Sequence, residues 1–98
     1  AGDEIGTGAY NTAVGVWALS SAAVSNNTAL GYNALYASTG SSATAIGAYA
    51  AGAATSATDV TAVGTSALGA LTDGSENTAV GAYAMYLWAG LPVFTQVT

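Results

Sequence analysis

Small, polar and aliphatic positions recur along this chain with a fixed period. A four-residue phrase of Thr, Ala, an aliphatic and Gly stands at 12–15 (TAVG), 28–31 (TALG), 44–47 (TAIG), 61–64 (TAVG) and 78–81 (TAVG), at spacings of 16, 16, 17 and 17. Two variable residues follow each phrase, then Ala and a second residue: Ala18-Leu19, Ala34-Leu35, Ala50-Ala51, Ala67-Leu68 and Ala84-Met85. Ser, Asn, Thr, Gly and Asp fill the stretches between units. Nearly the whole chain is one module in tandem, and a tandem module of this kind buries its core only by stacking on its neighbours.

The period selects the element. A helical repeat needs more than about 30 residues and tolerates a Gly in every unit poorly. Thr, Ala and Val/Ile/Leu alternate in size and include β-branched residues, which suits a short strand with Thr and the aliphatic on one face and Ala on the other. Gly after the strand suits a corner that needs positive φ or a close backbone approach. One coil of 16–17 residues therefore reads as two short strands and two turns, and the chain as an all-β parallel β-solenoid. Its coils stack about 4.8 Å apart. The expected turn glycines are Gly15, Gly31, Gly47, Gly64 and Gly81, and the expected strand core is Val14, Leu30, Ile46, Val63 and Val80.

The coils organise one domain over 1–98, with a half coil at 1–11, five tandem coils over 12–94 and the start of a sixth at 95–98. The sixth is read from TQVT, which lies 17 residues beyond Thr78 with Val97 at the aliphatic position. The four residues 95–98 and the eleven residues 1–11 together fall one short of a coil, so tail and head of successive chains would jointly complete one. Solenoid ends are unpaired edges that need capping, and LPVFTQVT is an apolar end. Asp3, Glu4, Ile5, Val93, Phe94 and Val97 are thus the candidate end-to-end contacts of a head-to-tail filament.

Charge sharpens this picture. The 98 residues hold 52% hydrophobic and only 5% charged side chains, with no Lys, Arg or His and a net charge of −5. An ordinary domain carries about 25% charge, so much of this surface is expected to be covered by copies of the same chain. Without cations there is no basic footprint for phosphates, which argues against a nucleic-acid partner. The uncharged stretch 77–98 is interrupted by Gly81, Gly90 and Pro92 and begins inside a repeat, so no membrane span is expected.

Catalytic equipment is correspondingly poor. No Cys or His is present, no cofactor or metal ligand set is spelled out, and the nearest carboxylate pair, Asp73 and Glu76, reads as solvated turn acids. The expectation is a protein that is not an enzyme. Trp17, Tyr49 and Tyr83 hold the same place in alternate coils and are candidate surface aromatics, able to cover a subunit contact or to stack on sugars. Only one Thr recurs per coil, which disfavours a paired-Thr ice-binding face.

The units NTAVGVWAL and NTALGYNAL, repeated over residues 11 to about 89, resemble the head repeats of YadA-like trimeric autotransporter adhesins and related repeats of bacteriophage tail fibres. The resemblance implies a left-handed β-roll, three chains packed around an axis, and a location outside the cell, at its surface or on a virion. A host-surface glycan or protein is the partner it implies beyond the chain itself. No heptads or basic neck accompany the repeats. The functional expectation is a structural subunit of an extracellular filament, with a head or shaft segment of an adhesin or tail fibre as the alternative.

Overall fold

Each of the five Thr-Ala-aliphatic phrases becomes a strand of three or four residues, and FTQV forms a sixth. These are β1 (Thr12–Val14), β2 (Thr28–Leu30), β3 (Thr44–Ile46), β4 (Thr61–Val63), β5 (Asn77–Val80) and β6 (Phe94–Val97). The computed structural model describes residues 9–20, 25–56, 58–70, 75–86 and 94–97. All six strands lie in one parallel sheet in chain order, so the fold is an all-β solenoid, without helix among the described residues. Register follows the repeat: Thr pairs with Thr, Ala with Ala, and aliphatic with aliphatic from Thr12↔Thr28 through Val63↔Val80. The TQVT segment continues it, with Thr78↔Thr95 and Val80↔Val97.

The pleat sends alternate residues to opposite faces. Inward go the phrase alanines and the residues before the Thr. Ala29, Ala45, Ala62 and Ala79 are fully buried, as are Asn27, Ala43, Val60 and Asn77, or nearly so. From the opposite side of each coil, Ala18-Leu19, Ala34-Leu35, Ala50-Ala51, Ala67-Leu68 and Ala84-Met85 close the same core. The roll is thin because a methyl group from the strand meets a Leu from the far side in most layers.

That packing corrects one expectation. Val14, Leu30, Ile46, Val63 and Val80 form the strands but are not the core. Val14, Leu30 and Ile46 are 55%, 46% and 38% exposed, and Val63 and Val80 are half-buried. Interior space at the strand admits only Ala, because Leu19, Leu35 and Leu68 already occupy the layer. The aliphatic therefore shares the outer face with Thr.

A second correction concerns the far side of the coil, which is a run of turns and not a second strand. Left-handed residues alternate there, as at Trp17 (φ 60) and Leu19 (φ 51), or Tyr49 (φ 62) and Ala51 (φ 47). The alternation aims successive amides along the stack in opposite directions. Leu35 N–H donates forward to Ala50 O at 3.0 Å, whereas Asn33 N–H donates back to Val16 O at 3.1 Å. The backbone is thus paired between coils without extended geometry, which satisfies the polar groups that a thin roll cannot hide.

Corner glycines set the coil-to-coil distance. Gly47 has φ +127 and a Cβ built on it would lie 2.7 Å from the carbonyl C and O of Gly64. A Cβ on Gly64 would likewise lie 2.6 Å from the carbonyl C and O of Gly81. Both the dihedral and the stacking exclude a side chain. Buried asparagines stitch the strand entry: Asn27 N–H donates to Asn11 Oδ1 (2.9 Å), Ala43 N–H donates to Asn27 Oδ1 (2.9 Å), and Asn27 Nδ2 donates to Gly40 O (3.0 Å).

Candidate functional site

Two surfaces stand out. The first is the outer face of the sheet, where Val14, Leu30, Ile46, Val63 and Val80 stack in a column beside the Thr column. No acidic side chain lies within the strands that form it.

The second surface follows the glycine corner. Trp17, Tyr49 and Tyr83 are exposed there, in the same place in coils one, three and five. They are joined by Tyr32, one residue earlier in its coil, and by Tyr36 and Tyr86, three residues later. Trp17 packs on Tyr32 and Tyr36 with ring centroids 5.8 and 6.2 Å apart, Tyr32 meets Tyr49 edge-on at 5.3 Å, and Tyr83 meets Tyr86 at 5.6 Å. These separations lie within the range of favourable aromatic contacts. The result is a ridge of rings and not three isolated aromatics. Its legible signal was the repeated spelling GYNALY and GAYAMY, which places a second ring three residues beyond the first variable pair.

The ridge is interrupted at coil four. Thr65 and Ser66 stand where other coils carry Tyr32, Tyr49 and Tyr83, and Gly69 stands where Tyr36 and Tyr86 do. A cleft of about 210 Å³ opens at this gap. Tyr36 and Tyr49 line it from the second and third coils and Tyr86 from the fifth. Small residues (Gly52, Ala53, Gly69) and the polar Asn33 and Ser66 complete the lining. The Tyr86 ring leans over Gly69, where a Cβ would come within 2.8 Å of Tyr86 Cε2. Asn33 Oδ1 is buried without a hydrogen-bond partner. The Tyr32 phenol is raised above its ordinary value of 10.0, first by desolvation against its neighbours and then by the proximity of Tyr49.

The remaining candidates separate as follows. Asp3, Glu4, Ile5, Val93 and Asp73 lie outside the described residues. Phe94 and Val97 sit in β6, paired with Asn77 and Val80. Glu76 is exposed and left-handed (φ 59), and its structural counterpart one coil earlier is Asp59 (φ 54). Among the described residues no three metal-ligating side chains gather, and no helix is long and apolar enough to cross a membrane. No family model, curated protein or solved structure matches the chain.

Proposed function

We propose that this chain is a structural subunit of an extracellular fibre, at a cell surface or on a virion, which works by assembling with copies of itself and catalyses no reaction. The observation that carries the reading is the uncovered outer face of an all-parallel sheet, with Val14, Leu30 and Ile46 about half exposed in one column. Parallel sheets are ordinarily covered on both faces. An identical column on a second chain is the natural cover, because no acidic side chain lies within the strands β1–β5 that carry the column; Asp59 and Glu76 stand outside them, at the entries to β4 and β5. Burying what remains exposed of five aliphatics contributes about 3–5 kcal/mol per chain. Association costs about 4–15 kcal/mol, so several faces must close together. Three rolls around an axis, the arrangement implied by the resemblance to YadA-like heads, meet that requirement.

Axial growth would use the sheet edges. β1 and β6 are its outermost strands among the described residues, and each internal step between them is the same parallel ladder. A β6 edge meeting the β1 edge of another copy would repeat that step, with the β6 residues Phe94 and Val97 among its contacts. The alternative, a head or shaft segment that attaches a bacterium or phage to a surface, shares the lateral packing and differs in its need for an outside ligand.

The test is analytical ultracentrifugation and electron microscopy of the purified chain and of Ile46→Glu. Native chains should sediment as multimers and form rods, whereas Ile46→Glu should lose the lateral assembly and sediment as smaller species, with an unchanged circular dichroism spectrum. A native chain that stays monomeric at about 0.1 mM, where interfaces of modest strength are occupied, refutes the reading.

A further inference from the structure

We infer that the gap in the aromatic ridge at coil four is a binding site for one uncharged hexopyranose ring of a glycan. The lateral assembly proposed above uses the strand face, so this site lies on a different side of the coil and neither reading depends on the other.

Coil four deviates from the repeat. Three coils present a ring at the position of Ser66, and two present one at the position of Gly69. A ring at either place in coil four would fill the space between Tyr49 and Tyr86. Ser66 and Gly69, with Gly52 of coil three, leave the cleft of about 210 Å³. Pockets for drug-sized ligands start at about 300 Å³, so this one suits a single small ring.

Its chemistry narrows the occupant. Tyrosine rings approach from both directions along the stack, and an aromatic face offers apolar contact to the C–H face of a sugar. Ser66 supplies a hydroxyl that can donate and accept. Asn33 Oδ1 is a buried acceptor without a partner, a state that is unfavourable until a donor arrives. The Asn33 side chain also meets the Tyr32 phenol, so a hydroxyl that reached Oδ1 would complete the amide's bonding without displacing that contact. No charged residue lines the cleft, and the chain has no Lys, Arg or His to hold an anion. Sialylated or sulfated sugars are therefore disfavoured, and neutral ones fit.

One ring of about a dozen heavy atoms binds with a Kd of about 1 mM at ordinary ligand efficiency. In an assembly that repeats the cleft along its length, multivalency would raise the avidity for a polymeric glycan by about 10²–10⁴.

Saturation-transfer NMR on the purified chain with methyl glycosides of glucose, galactose, mannose and N-acetylglucosamine tests the inference. At least one should receive saturation, strongest on the protons of its apolar face. Ser66→Tyr inserts the ring that the equivalent position carries elsewhere, at a φ of 57 against 62 for Tyr49, so the coil should accept it. It should abolish transfer, and Tyr86→Ala should weaken binding about tenfold. Should Ser66→Tyr fail to fold by circular dichroism, Tyr86→Ala, which alters an exposed side chain, decides alone. Absence of transfer to every glycoside overturns the inference, as does transfer that survives both substitutions. Selective saturation of a proline- or tyrosine-containing peptide in place of the sugars overturns it too.

Discussion

Replacing Gly47 by Ala tests whether the corner glycines fix the spacing of the coils. The new Cβ would lie 2.7 Å from the carbonyl C and O of Gly64, well inside van der Waals contact, and the backbone would remain at φ +127. A non-Gly residue in so sparsely populated a region costs about 1–3 kcal/mol. The steric term adds to this because the obstacle is backbone. Gly64 N–H donates to Ile46 O at 2.8 Å and Gly47 N–H to Leu30 O at 2.8 Å, so relief requires the ladder to open. One or two weakened backbone hydrogen bonds contribute about 1 kcal/mol each. The total is about 3–5 kcal/mol, a third or more of the stability of many domains. In thermal unfolding followed by circular dichroism, at a concentration that keeps the assembly state fixed, the midpoint should fall by more than about 12 °C. Gly52→Ala is the control. Its φ lies outside the positive region and the nearest atom to its Cβ would be 3.2 Å away, so its cost should stay near 1 kcal/mol. If Gly47→Ala proves no more destabilising than Gly52→Ala, the glycine column does not set the stacking distance.

Three further outcomes follow from the same coil geometry. Ala45→Val should destabilise by about 1–3 kcal/mol through overpacking, since Ala45 is fully buried between Ala29 and Ala62. Ile46→Thr, one residue on but outward, should change denaturant unfolding of the single roll by less than about 1 kcal/mol while weakening self-association. Asn27→Ala strips the acceptor from Ala43 N–H and the donor from Gly40 O and should cost about 2–4 kcal/mol in the same assay; a loss below 0.5 kcal/mol, roughly the scatter of neutral surface changes, would contradict the buried Asn stitch. With no His, Cys, Lys or Arg, no side chain of ordinary pKa titrates between about pH 6 and 9, and stability should be flat there. Above the ordinary tyrosine value of 10.0 the unfolded chain loses the Tyr32 proton before the folded chain does, so stability should fall with pH until the raised folded pKa is passed. Tyr32→Phe should reduce that alkaline slope, and an unchanged slope would remove Tyr32 as its source.

The repeat made the architecture legible, because a strand register that matches the sequence period needs no further information. Thr12, Thr28, Thr44, Thr61 and Thr78 could be placed in one column by counting. Period-2 alternation could also separate Thr and the aliphatic from Ala. It could not say which face is inside, since that depends on what the rest of the coil contributes. Hydrophobicity alone sends Val14 inward. Leu19 arriving from the far side leaves room only for Ala13, and a left-handed Leu is not something a sequence announces. The run of alternating left-handed residues was hidden for the same reason: Trp, Leu, Tyr and Met are not the residues that favour positive φ. Here the stacked backbone hydrogen bonds hold them in it.

The same reasoning bears on the near-absence of charge. In a stack with a rise of about 4.8 Å, any residue type kept at one position meets itself above and below. A charge at a repeated position would therefore form a column of like charges, unfavourable at each step. Thr, Ala, Asn and aromatic residues gain from meeting their own kind, through methyl packing, amide hydrogen bonds and ring contacts. Low charge is thus a consequence of the repeat and is no sign in itself of a membrane or of a missing partner. It follows that departures from the repeat carry more information than the repeat does. Asp59 and Glu76 occupy equivalent positions one coil apart, are exposed, and place like charges on adjacent coils without a cation to balance them. Coil four is the one coil of the five with no ring after its glycine corner, and Ser66 and Gly69 there border a cleft together with Gly52 of coil three. The cleft they border is therefore the place on this surface where the proposed ligand can be tested against the repeat.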